Sequence, residues 1–334
     1  MKKITFLFAA LILFSSHDMF LKMGTYFLRP NSPAAIKVFN GTFDKSENVI
    51  ARKRMADVSL LGNGVRTNPD TMQWSEIDST LTVLNFTTGE AGTWVAGLSS
   101  FPNQIELAAK DFNEYLEHDG VLDMLELRRK NNALDKDAVE KYSKHVKAIF
   151  QVGNKKTDDW KTPLGYPIEF VPEENPYDLE TGKTMKVKLL WQGQPLANQL
   201  VYAGSDGSCH EQEHSRQHAA GEEHSHDHED SHTHGASQLR TDANGVVSLK
   251  IDHEGQWYLR TIHMAQSSEQ GLTHESNWAT LTFEIGHGHS HADGSTHTHE
   301  DGTVHSDHGF PVWAYGLLGA ALLAVLLFFF RRKK

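Results

Sequence analysis

The chain has 334 residues, 39% of them hydrophobic, which is enough for two ordinary domains. Its net charge of -11 argues against a nucleic-acid partner, which would need clustered Lys and Arg, and suits attraction of cations. A single cysteine, Cys209, excludes an internal disulfide, so packed cores must hold the fold; histidine is the outlier, with 21 residues, most of them in two short stretches.

The opening MKKITFLFAALILFSS has Lys2 and Lys3, then an apolar run too short to span a bilayer, then small residues. That is the pattern of a secretory signal peptide over residues 1–16, with an uncleaved anchor as the alternative. No cysteine follows the run, which excludes a bacterial lipoprotein.

From His17 to about residue 104, short β-branched and aromatic runs such as AAIKVFNGTF and STLTVLNFTT alternate with Asn-Gly and Gly-Asn-Gly turns, predicting an N-terminal β-sandwich over 17–104. Between 105 and 154 the period changes. Phe112, Tyr115 and Leu116 have helical spacing, as do Val139, Tyr142, Val146 and Ile149, with Asp135 as the N-cap of a second helix and Gly120 dividing the first. Strands return in TMKVKLLWQGQPLANQLVYAG, QLRTDANGVVSLKID, GQWYLRTIHM and NWATLTFEI, predicting a second sandwich over 155–285, of immunoglobulin-like or transthyretin-like type. The fold class is thus mainly β with a helical segment: two β-sandwich domains plus one C-terminal transmembrane helix. That helix, residues 310–330, would span roughly 31 Å. Trp313 and Tyr315 sit at its outer interface, and the basic tail 331–334 (Arg331, Arg332, Lys333, Lys334) holds its other end in the cytoplasm. The bulk of the chain is expected outside, in the periplasm.

Two segments cannot form a core, being polar, Gly- and Ser-rich and nearly without large apolar residues. The first, 208–235, interrupts a hairpin of the second sandwich and carries His210, His214, His218, His224, His226, His228, His232 and His234. The second, 286–309, links that sandwich to the membrane helix and carries His287, His289, His291, His297, His299, His305 and His308. Neutral imidazole ligates Ni(II), Co(II), Zn(II) and Cu(II), and the interspersed carboxylates can complete a shell. Many flexible imidazoles make interchangeable sites suited to capture rather than to catalysis. A solvated, pH-responsive linker is the competing reading. Protons compete with metal near an imidazole pKa of about 6.5, so binding should weaken in acid.

The start of the exported part, HDMFLK, raises a separate metal site. A cut after Ser16 would give His17 a free amine that chelates together with its imidazole, with Asp18 as an adjacent oxygen donor and His263, at the end of the QWYLRTIHM strand, as the partner from the fold. A cut after Phe14 would give Ser-Ser-His, a square-planar site suited to Cu(II) or Ni(II). An ordinary exposed histidine is the alternative.

In order along the chain, HDMFLK, DFNEYLEHDGV, EKYSKHVKAIFQVG, LLWQGQPLANQLV, TDANGVVSLKIDHEGQWYLRTIHM and ESNWATLTFEI resemble a family of exported bacterial proteins described as periplasmic components of cobalt/nickel transport systems. The resemblance covers nearly the whole exported part. It implies a membrane-anchored extracytoplasmic protein that binds Ni(II) or Co(II), with Zn(II) or Cu(II) compatible, and passes ions to a membrane permease; its other contact is lipid, through the C-terminal helix. No Ser-His-Asp set, phosphate loop, CxxC pair or HExxH helix is present, so no catalytic residue and no enzyme are expected. Two alternatives stand beside this: a copper histidine-brace oxidase built on a processed His17, and a surface interaction module.

Overall fold

The computed structural model describes residues 17–206 and 236–286. The expected signal peptide, membrane helix and basic tail lie outside the described residues, as do the His-rich insertion and all the histidines of the linker. Among the described residues, no helix is long and apolar enough to cross a membrane.

The architecture is mainly β, built around the strand Ala138–Val152. This segment corrects the expected second helix. Its 3–4 spacing of apolar residues arises because both faces of the strand are covered, which removes the clean alternation that marks a half-buried strand. The true period is two. Val146, Ala148, Phe150 and Val152 pack into one core with Ile36, Val38, Leu84 and Phe86. Ile149 points the other way, into a core with Ile168, Phe170, Val187 and Leu189.

A ten-stranded sheet holds this strand at its middle. Its order runs Ser237–Arg240, Leu200–Ser205, Gly255–Gln266, His274–Ile285, Ala138–Val152, Gly92–Ser100, Met55–Gly62, Val65–Thr67, and Phe27–Leu28 and Asn103–Leu107 also pair with the central strand. Most neighbours are antiparallel, but Ala138–Val152 and His274–Ile285 run parallel, from Glu140↔His274 to Ala148↔Thr282. One face carries a four-stranded sheet in the order Asp18–Lys22, Pro33–Gly41, Leu81–Thr87, Trp74–Ile77. The other carries Ile168–Pro172, Thr184–Trp191, Gln194–Pro195 and Val246–Lys250. Strands from both expected sandwiches therefore meet in one middle layer.

The expected first helix is two, Ala109–His118 and Leu122–Lys130, divided at Gly120 as the sequence suggests; its φ of +71° is open to glycine. Phe112, Tyr115, Leu116 and Met124 pack on Ile262 and Trp278 of the middle sheet. The Asp242–Gly245 turn forms as read, with the Asp242 carboxylate accepting from the Asn244 and Val246 amides at 2.8 and 2.9 Å. It carries the chain from the middle sheet to an outer one instead of closing a hairpin.

A polar network lies inside the layers. His145 accepts from the Ser99 hydroxyl at Nδ1 (2.9 Å) and donates from Nε2 to Asn277 Oδ1 (3.2 Å). Burial pushes its imidazole pKa down to about 4, although Asn277 and Glu169 favour the charged form. The unfolded chain, with an ordinary value of about 6.5, takes up a proton between those limits that the folded chain does not. Stability attached to neutral His145 is therefore complete above about pH 6.5 and is lost as pH falls towards 4, by about 3 kcal/mol. We expect the stability gap between the parent and His145→Gln, read from urea midpoints, to narrow by about that amount between pH 7 and pH 4; an unchanged gap would contradict the assignment.

Candidate functional site

The first described strand, an edge strand, is buried almost from its first residue: Asp18, Met19, Phe20 and Leu21 are all buried. An aspartate cannot enter such a strand without a cation. Arg260, from the middle sheet, supplies it, with Nε 3.3 Å from Asp18 Oδ2 and Nη1 3.3 Å from Oδ1. The same guanidinium donates through Nη2 to the Asp119 carbonyl (2.8 Å), at the end of the first helix, and stacks over Tyr202 at 4.9 Å. Lys144, from the central strand, donates to the His17 carbonyl and lies 4.8 Å from the Trp278 ring. Glu140 accepts from Tyr115 (3.1 Å) and from Ser276.

These groups form a buried ionic seam between the N-terminal sheet and the helices. Burial lowers the Lys144 pKa to about 8, against the opposing pull of Asp18, Asp119 and Glu140. Burial also raises Glu140, despite hydrogen bonds from Ser276 and Tyr115. Burial alone would depress Arg260, but the carboxylates of Asp18 and Asp119 outweigh it and the guanidinium stays charged. Sequence reading missed Lys144 and Arg260 because their partners are 127 and 242 residues away along the chain. For Arg260 the available signal was a cation inside the apolar run 257–262; Lys144, set among Lys141, His145 and Lys147, carried none.

The expected metal ligands are separated by this arrangement. Asp18 faces inward on Arg260 and is 5% exposed. His17 lies at the surface end of the seam, with Nδ1 3.2 Å from Glu47 Oε2 and Nε2 3.1 Å from the Asn48 side-chain nitrogen. His263 is engaged elsewhere, its Nδ1 2.9 Å from Gln199 Oε1 and its ring 4.7 Å from Trp191. Burial lowers its pKa. Among the described residues, no group of three or more His, Cys, Asp or Glu side chains is gathered to hold a metal ion. His210, His214, His218, His224, His226, His228, His232, His234, His287, His289, His291, His297, His299, His305 and His308 lie outside the described residues.

The described chain does fix where those segments leave the fold. The insertion departs after Asp206 and returns at Ala236, where Ala203 pairs with Ser237. The linker departs after Gly286. Asp206 exchanges hydrogen bonds with Gln256 at 3.0 Å, and Gln256 is paired with Glu284. The two departure points thus stand on the same end of the middle sheet, two strands across and two residues along, about 12 Å apart. His253 lies at this end as well, its Nε2 2.7 Å from Ser205 Oγ and its Nδ1 2.5 Å from Asp252. Acidic side chains surround the exits, and Asp206 helps burial to raise the Glu284 pKa.

Residues 14–265 match the family described as Domain of unknown function (DUF4198), and the chain belongs to that family. No curated protein matches the chain. Among solved structures, it is similar to a chimeric titin Z1Z2-Z1Z2 tandem, at 11% identity over 80% of this chain and 96% of that one, with a TM-score of 0.17. The D0-D1 domain of Intimin is similar at 11% identity over 80% and 97%, with a TM-score of 0.17. A Salmonella alpha-2-macroglobulin is similar at 10% identity over 80% of this chain and 15% of that one, with a TM-score of 0.20. Scores this low carry no argument about what the chain does.

Arg260→Met would leave the Asp18 carboxylate buried without its cation, at an expected cost of about 3–5 kcal/mol. Adding Asp18→Asn removes that buried charge and should recover a large part of the loss. Denaturant unfolding of the two single variants and the double variant measures the coupling; strictly additive losses would contradict the seam.

Proposed function

We propose that this protein is a membrane-anchored, extracytoplasmic binder of divalent transition metal, Ni(II) or Co(II) foremost and Zn(II) also accommodated, that collects ions for a membrane permease. The observation that carries the reading is the pair of His-rich segments, together with the roots that bring them to one end of one sheet. Many imidazoles carried on one short segment act at high effective concentration on an ion, so a second and third ligand from the same segment can complete a shell begun by the first. The acidic rim and the net charge of -11 raise the local cation concentration around them.

Export by the signal peptide 1–16 and anchoring by the helix 310–330 belong to the same proposal, as does delivery to a permease. The two outer sheets are read as the outer leaves of two immunoglobulin-like or transthyretin-like sandwiches that share the middle sheet. This reading assigns no catalytic step, and its ligands are imidazoles on segments that the sequence gives no means of packing.

Titration calorimetry of the full chain with Ni(II) and Co(II) tests it. At pH 7.5 we expect several equivalents of either ion to bind. At pH 5.5 imidazole is mostly protonated and affinity should fall by about tenfold or more. Replacing 207–235 and 287–309 by Gly-Ser linkers should remove most of the bound ions. No heat of binding at pH 7.5, or binding that is indifferent to both segments, would overturn the proposal.

A further inference from the structure

We propose a second, distinct metal site at the start of the folded chain, formed by the α-amine and imidazole Nδ1 of His17 with the carboxylate of Glu47. It rests on the export reading above, through cleavage after Ser16, and not on the His-rich segments. Processing would give His17 a free amine, and amine and Nδ1 of one residue close a six-membered chelate ring on a metal.

The structure adds the third donor. His17 Nδ1 and Glu47 Oε2 are 3.2 Å apart. Two ligands bound at the usual 2.0–2.1 Å are separated by about 2.9 Å at a right angle and about 3.3 Å at a tetrahedral one. The pair therefore already stands at ligand spacing. The protonation pattern fits as well. The Asn48 side-chain nitrogen can only donate, so Nε2 accepts and the ring proton sits on Nδ1, directed at Glu47. A divalent ion can take the place of that proton between the two groups after a modest rotation of the side chains onto its bonding directions.

Both halves are fixed from behind. The His17 carbonyl is held by Lys144, and the next residue, Asp18, by Arg260. Asp18 is also paired with Gly41 across the strand. Glu47 is pinned through its amide to the Asn40 carbonyl at 3.0 Å, and the Asn48 amide reaches the same oxygen at 3.3 Å. That approach depends on Gly41, since a Cβ there would meet the Glu47 amide and Cγ at 3.2 Å. The buried seam thus acts as the outer support that a rigid site requires, which gives Lys144 and Arg260 a purpose beyond packing. Two nitrogens and a carboxylate suit Cu(II) or Ni(II). His263 takes no part.

Cu(II), the strongest binder of the divalent series, is the probe. The chain is produced with export, its amino terminus is read by mass spectrometry, and residues 207–235 and 287–309 are replaced by Gly-Ser linkers of equal length. This variant should begin at His17 and bind a single equivalent of Cu(II) with nitrogen couplings in its electron paramagnetic resonance spectrum. Glu47→Ala should weaken binding by about tenfold or more, and His17→Ala should do at least as much damage by removing the imidazole of the chelate. His263→Ala should leave binding unchanged. A different mature terminus, no stoichiometric copper, or an affinity indifferent to Glu47→Ala would overturn the site while leaving metal capture by the His-rich segments intact. Should the replaced variant fail to fold, copper-catalysed oxidation of the unmodified chain separates the same two outcomes. Oxidation at His17 should be lost in Glu47→Ala while oxidation of the His-rich peptides persists; equal oxidation of His17 in both chains would overturn the site.

Discussion

The central strand holds the layers together with one buried lysine on each face. Lys144 reaches the N-terminal sheet through the His17 carbonyl. Lys147 reaches the opposite sheet, with its Nζ 3.0 Å from Glu169 Oε2 and 2.9 Å from the Phe170 carbonyl. Burial lowers the Lys147 pKa against the pull of Glu169. The Glu169 carboxylate is further met by the Leu164 and Gly165 amides at 2.8 and 2.9 Å. Charges this deeply placed contribute less to net stability than to register, because every alternative packing leaves one of them unpaired. A one-residue slip of this strand would exchange the two lysines between faces and break both connections at once.

That constraint explains what was legible in the sequence. The strands with clean turns, such as those flanking Gln192-Gly193 and Asp242–Gly245, could be read because the turn chemistry is local. So could the division of the helices at Gly120. The strand Ala138–Val152 could not, because burial on both faces makes Val139, Tyr142, Val146 and Ile149 coincide with a helical repeat. The joining of both strand groups into one middle sheet was invisible for a related reason: the parallel pairing of Glu140 with His274 is a long-range contact with no local mark.

The candidate sites divide in the same way. The His-rich segments are compositional and needed no structure to be noticed; the structure contributes their common root at Asp206 and Gly286. His17 stands out from its place beside the apolar leader, but its expected partner, His263, rests on strand alternation and on its place in the block that carries the family resemblance. In the fold His263 is bound to Gln199 and Trp191, while Glu47 is brought to His17 by a loop folded back on Asn40. The matched family supplies membership and not a role, so the functional account stands on ligand chemistry and on where the fold puts it.

Metal capture by tethered imidazoles is the claim on which the rest of the functional account depends. Equilibrium dialysis of the purified full chain against Ni(II) at neutral pH, followed by elemental analysis, tests it most directly. The account predicts more than one nickel per chain, all released on acidification below the imidazole range. A chain that returns from dialysis with no nickel would contradict it.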